Sequence, residues 1–121
     1  MTMTVLTVDD SRTMRDMLNM CLSGAGFRVV QAEDGMHGLE VLARETPRVI
    51  ITDINMPKLD GFGFIEGVRK TERHRAVPIL VLTTESDAAK KARARSAGAT
   101  GWIVKPFDAV KLVEVVRRVA A

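Results

Sequence analysis

Asp9 and Asp10 follow the apolar run Val5-Leu6-Thr7-Val8, and Asp53 follows a second run, Val49-Ile50-Ile51-Thr52. A third run, Ile79-Leu80-Val81-Leu82, ends in Thr83-Thr84, and a fourth, Trp102-Ile103-Val104, ends in Lys105-Pro106. If these runs are neighbouring parallel strands, their ends share one edge of one sheet. That edge then gathers three carboxylates, two hydroxyls and an ammonium. Clustered carboxylates repel one another and invite a hard divalent cation with oxygen ligands. A carboxylate, a cation, a hydroxyl and a lysine together suit the acceptance of a phosphoryl group.

Each residue type then has a role. Asp53 is the candidate phosphoacceptor, since an ionised carboxylate can attack phosphorus and form an acyl phosphate. Asp9, Asp10 and Asp53 would hold Mg²⁺, with the backbone carbonyl of Asn55 as a further oxygen and Mn²⁺ able to substitute. Thr83 can donate to a phosphoryl oxygen, and Lys105 brings positive charge to the same oxygens. Taken singly, an aspartate at a strand end commonly shapes a turn or caps a helix, and Asp10 could do no more than that. The combination on four strand ends is what carries the functional reading.

The elements that must position these groups are legible too. Strand-like runs alternate with amphipathic helical stretches, the pattern of an α/β domain with a parallel sheet. Ser11 reads as an N-cap, and Met14, Met17, Leu18, Cys21 and Leu22 follow at helical spacing up to Gly24-Ala25-Gly26. Arg28 to Ala32 reads as the second strand, and Met36, Leu39 and Leu42 mark the second helix. Val49 to Asp53 reads as the third strand, and Phe64, Ile65 and Val68 mark the third helix. The segment Ser86 to Ser96 is helical with a mostly alanine inner face, ended by Gly98. Val110, Val113, Val116 and Leu112 form the buried stripe of the last helix. His37 and His74 have no ligand-like company and read as surface residues. Right-handed crossovers put helices on both faces, and ligands then bind outside the carboxyl ends of the strands.

The 121 residues are 46% hydrophobic and 27% charged, which fits one globular domain rather than a disordered chain. The net charge of +3 is mild and does not mark a dedicated DNA binder. The single cysteine, Cys21, excludes an internal disulfide and suits a reducing compartment. No apolar run approaches the roughly 20 residues of a membrane span, and the N-terminus does not read as a signal peptide. These points set the expectation of a cytoplasmic protein.

Val8-Asp9-Asp10-Ser11, Asp53-Ile54-Asn55-Met56-Pro57, Asp60-Gly61, Leu82-Thr83-Thr84 and Lys105-Pro106-Phe107 together resemble the receiver domain of two-component response regulators. Within that family the chain looks most like the single-domain chemotaxis CheY type, so residues 1–121 are expected to be one receiver domain with no output domain. The resemblance implies a flavodoxin-like (βα)5 fold with strand order 2-1-3-4-5. It implies a histidine kinase as phosphodonor, the flagellar motor switch as partner, a phosphatase as a further one, and a monomer that binds neither DNA nor membrane. It implies that Asn55 and Glu85 flank the acyl phosphate and influence its hydrolysis. Trp102 replaces the Tyr or Phe usual three residues before the lysine and would join Thr83 in the switch. In this fold Lys90, Lys91, Arg95, Trp102 and Lys111 would form the partner surface. Two other functions compete. One is a phosphate sink or relay carrier without motor binding. The other is a small flavin electron carrier, for which 4% aromatics and no tyrosine offer little ring-stacking surface.

Overall fold

Aspartate side chains cap the starts of four of the five α-helices. Asp34 and Asp60 each precede glycine, yet Asp34 accepts from His37 N and Asp60 from Gly63 N, so both are N-caps. Ser11, Asp87 and Asp108 cap the remaining three helices in the same way. Each of the five α-helices therefore begins with a side chain that satisfies one of its unpaired N–H groups.

The computed structural model describes residues 2–121. The order is β1 (Thr4–Val8), α1 (Arg12–Gly24), β2 (Arg28–Ala32), α2 (Gly35–Leu42), β3 (Val49–Thr52), α3 (Gly61–Lys70), a short 3-10 turn (Glu72–His74), β4 (Ile79–Thr83), α4 (Ala88–Ala97), β5 (Gly101–Val104) and α5 (Ala109–Ala120). The five strands form one parallel sheet of order β2-β1-β3-β4-β5. The flavodoxin-like expectation holds, with Val5 beside Val49 and Ile51 beside Leu80 in the central register. Central strands buried on both faces need continuous apolar runs, and β3 and β4 supply them.

The sheet divides the core. On one face Leu6, Ile50 and Val81 pack with Phe64, Ile65 and Val68 of α3 and with α2 and α4. On the other, Val5, Ile51 and Leu80 pack with Leu18 and Leu22 of α1 and Leu112 and Val116 of α5. Helix α4 contributes one fully buried side chain, Ala94, as its alanine-rich face implies. It ends at Gly98, whose φ of 119° suits glycine.

Several expectations need correction. Met17 is 48% exposed and Val110 69%, so neither belongs to the core. Each lies at the edge of its helical stripe, where spacing alone cannot separate face from flank. His74 is 2% exposed, not a surface residue. Its Nε2 donates to the Leu42 carbonyl at 2.8 Å, which supplies the partner a buried ring nitrogen needs. Strand β3 stops at Thr52, and α4 runs from Ala88 to Ala97.

Candidate functional site

The carboxyl ends of β1, β3, β4 and β5 meet along one edge, and the expected residues stand there. Asp9 follows β1 and is 1% exposed, Asp53 follows β3 and is buried, and Asp10 points to solvent. Backbone pairing fixes the first two: Asp9 N donates to Ala32 O at 3.1 Å and Asp53 N to Val8 O at 2.9 Å.

Each buried carboxylate divides its oxygens between two tasks. Asp9 Oδ1 accepts from Ser11 N at 2.9 Å, and Asp53 Oδ1 accepts from Ile54 N at 2.6 Å. Their Oδ2 atoms share the Lys105 ammonium, at 2.9 Å and 2.8 Å. Burial raises the Asp9 pKa above the ordinary carboxylate value, against the lowering effect of the Ser11 amide and Lys105. Burial also works against the Lys105 charge, but its bonds to Asp53 and Asp9 outweigh it and hold its pKa above the ordinary lysine value.

Asp9, Asp10 and Asp53 can each present one oxygen so that all three lie within 4.8 Å of one another. Three hard oxygen donors at that spacing, two of them on buried residues, fit a small divalent cation. The donor set fits Mg²⁺ by chemistry and by spacing. Lys105 offsets part of the negative charge from the Oδ2 atoms of Asp9 and Asp53.

Thr83, the last residue of β4, is fully buried, and its hydroxyl accepts from Glu85 N at 3.4 Å. Its carbonyl accepts from Lys105 N at 2.8 Å, so hydroxyl and ammonium ride on adjacent strands. Asn55 Nδ2 donates to Glu85 Oε1 at 3.2 Å, joining the loops after β3 and β4. Lys90 Nζ lies 2.9 Å from the same oxygen. Lys90 first, and Asn55 second, hold the Glu85 carboxyl below its ordinary pKa. Trp102 Nε1 donates to the Glu85 carbonyl at 3.0 Å. Trp102 lines a small groove with Lys91, Ala94 and Arg95, whereas Lys111 lies apart, beside Val104 and Phe107.

Sequence reasoning missed the contacts made by Arg15 and Arg93. Arg15 Nη1 donates to the Asp9 carbonyl at 2.6 Å and ties the second turn of α1 to the acidic loop. Arg93 stacks over the Phe62 ring at 4.0 Å and fastens α4 to α3. Neither has a motif; both partners are set by the tertiary fold.

The profile of the response regulator receiver domain matches residues 5–117. The chain belongs to the response regulator receiver family. It is similar to chemotaxis protein CheY1 of Helicobacter pylori, with 40% identity over 114 residues, covering 93% of this chain and 92% of that protein. It is similar in structure to CheY4 of Vibrio cholerae, with a TM-score of 0.93, 41% identity, and coverage of 98% and 99%. A sensor-kinase receiver domain from Pseudomonas aeruginosa, described with magnesium coordinated in its active-site cleft, superposes with a TM-score of 0.92 at 26% identity, covering 99% of this chain and 98% of that one. Other relatives are longer: the chain spans 14% of the H. pylori sensor histidine kinase CheAY and under half of two ycf27 regulators. Its full-length match to CheY proteins makes it a CheY-type receiver.

Proposed function

We propose that the protein is a stand-alone response regulator phosphorylated on Asp53. The observation that carries this is the buried Asp53 carboxylate, joined to Lys105 through Oδ2 and set beside two further carboxylates. A carboxylate oxygen of Asp53 attacks the phosphorus of a phosphohistidine on a histidine kinase. The P–N bond breaks, and the imidazole leaves with the electron pair. Asp9, Asp10, Asp53 and the Asn55 carbonyl would hold Mg²⁺ or Mn²⁺. That cation, when bound, supplies positive charge against the repulsion between phosphate and carboxylates. Lys105 places its ammonium on the phosphoryl oxygens. Thr83 turns its hydroxyl from accepting the Glu85 amide to donating to the phosphoryl group. Asn55 and Glu85 border the acyl phosphate and tune its hydrolysis. The molecule is a signalling switch rather than a turnover enzyme.

Glu85 connects the site to its output. Its amide bonds Thr83, its carbonyl bonds Trp102, and its carboxylate bonds Lys90. Movement of Thr83 therefore reaches Trp102 and the start of α4 through one residue. The groove of Lys91, Arg95 and Trp102 would then take an acidic amphipathic helix, of the kind a flagellar motor switch protein presents. The likeness to chemotaxis proteins supports motor control as the output, with a chemotaxis histidine kinase as donor, a phosphatase to end the signal, and action as a cytoplasmic monomer. Among the described residues no helix is long and apolar enough to cross a membrane. A second role, as a phosphate sink or relay carrier, is favoured by the likeness to a receiver inside the kinase CheAY. A pull-down with and without beryllofluoride separates the two. Motor-switch protein captured only with beryllofluoride supports the first, and capture of kinase or phosphotransfer proteins alone supports the second. A flavin carrier would need its phosphate to sit against the same carboxylates, and a colourless purified protein excludes it.

A further inference from the structure

The three aspartates are not held alike. Asp9 is buried, and both its carboxylate oxygens are engaged, by Ser11 N at 2.9 Å and by Lys105 Nζ at 2.9 Å. Asp53 is held the same way, by Ile54 N at 2.6 Å and Lys105 Nζ at 2.8 Å. Asp10 is exposed, and no ion pair among the described residues includes it. Yet one cation can take all three residues only if an Asp10 oxygen stands within 4.8 Å of the other two. The direction of Asp10 therefore rests on the backbone that carries it.

That backbone is tied on both sides. Arg15 Nη1 donates to the Asp9 carbonyl at 2.6 Å, which holds the Asp9–Asp10 peptide. Ser11 N donates to Asp9 Oδ1, which holds the Asp10–Ser11 peptide. Arg15 is itself aimed by its surroundings: its backbone N donates to Ser11 O at 3.0 Å, and Gln31 Nε2 on β2 donates to its carbonyl at 3.3 Å. Charged side chains on a helix are usually just solvated. The Arg15 guanidinium is half-buried beside an acidic cluster, forms no ion pair among the described residues, and bonds a carbonyl instead. Its contact there fixes a direction rather than neutralising a charge.

We propose that Arg15 is a positioning residue for the metal site. By holding the Asp9 carbonyl it fixes the Asp9–Asp10 peptide, and so the direction in which Asp10 offers its carboxylate to a divalent cation. A loop ordered beforehand need not be ordered by the cation, and the difference appears as affinity. The role rests on the reading of Asp9, Asp10 and Asp53 as ligands of that cation.

Charge and geometry predict opposite signs. Arg15 is a cation near the metal site, so by Coulomb's law alone its removal should tighten Mg²⁺ binding. Removal of a clamp should weaken it. The test titrates the whole chain with Mg²⁺ at constant ionic strength and reads the affinity from amide NMR shifts. Arg15→Met keeps an apolar stem and loses the donor, and should bind Mg²⁺ about tenfold more weakly than the wild type, as loss of a partner behind a metal ligand commonly does. Arg15→Lys keeps a cationic donor and should recover most of that loss. In an Asp10→Asn background Arg15→Met should change the affinity by less than about twofold, because its effect passes through the Asp10 carboxylate. Thermal melts in EDTA confirm that each variant folds. Mg²⁺ binding by Arg15→Met as tight as the wild type's, or tighter, would overturn the proposal. So would no recovery in Arg15→Lys, or an equal loss in the Asp10→Asn background. A wild-type protein that binds no Mg²⁺ would overturn the metal reading itself, and this role with it.

Discussion

Lys105 Nζ lies 2.8 Å from Asp53 Oδ2. The same ammonium reaches Asp9 Oδ2 at 2.9 Å, so the two buried carboxylates of the site share one cation. Lys105 thus holds the Asp53 carboxylate in place through Oδ2.

Lys105→Met should therefore destabilise the metal-free protein by roughly 1–3 kcal/mol, below the ~3–5 kcal/mol for breaking a fully buried pair because the site is partly open. Saturating Mg²⁺ should recover most of that loss, since it replaces the missing charge. Phosphorylation should slow by about 10²-fold, the usual effect of removing one charge-stabilising donor. Urea melts with EDTA or Mg²⁺ and labelling rates supply both numbers. A Mg²⁺-independent stability loss would mean that Lys105 acts by packing.

Asp9→Asn should raise stability in EDTA by roughly 0.5–2 kcal/mol, the usual gain from relieving a strained functional site. The sign follows from burial, which raises the folded pKa of Asp9. The stability from that proton is fully present below the ordinary value of 3.8 and is lost as pH rises through the folded pKa. The gain should accordingly appear at neutral pH and vanish in acid. Thermal melts across that range check it. The amide keeps the acceptor for Ser11 N, so lower stability at every pH would show that the charge itself is structural.

Most of the fold was legible because its signals are local. Apolar runs of four or five residues, capping side chains and glycine stops repeat along the chain, and the parallel order follows from their alternation. The site was legible for the same reason: Asp9, Asp53, Thr83 and Lys105 each end a recognisable strand or follow it directly. His74 was not, because its burial depends on the Leu42 carbonyl, 32 residues away. The links of Arg15 to Asp9 and of Trp102 to Glu85 likewise join different elements and leave no spacing signal.

Thr7 shows a cost hidden in the core. Its hydroxyl is buried in β1 and has no hydrogen-bond partner among the described residues. Thr7→Val keeps the shape, removes an unsatisfied polar atom and should stabilise by about 1 kcal/mol. Chemical denaturation decides it, and a loss of similar size would imply a water or hydrogen bond at that hydroxyl.

Trp102, the sole tryptophan, donates to the Glu85 carbonyl, and Glu85 N bonds Thr83. Beryllofluoride with Mg²⁺ should therefore change its fluorescence, and Asp53→Ala should abolish the beryllofluoride part. Thr83→Ala should weaken the response without preventing Mg²⁺ binding. Emission unaffected by the mimic would remove Trp102 from the switch.

Intact mass after incubation with acetyl phosphate bears most directly on Asp53. With Mg²⁺ the wild-type protein should gain the mass of one phosphoryl group. Without Mg²⁺ it should gain none, because three carboxylates then face an incoming anion with only Lys105 to offset them. Asp53→Ala should gain none under either condition. Equal labelling of Asp53→Ala, or labelling of the wild type that ignores Mg²⁺, would contradict the assignment of Asp53 as phosphoacceptor and of the aspartate cluster as its metal site.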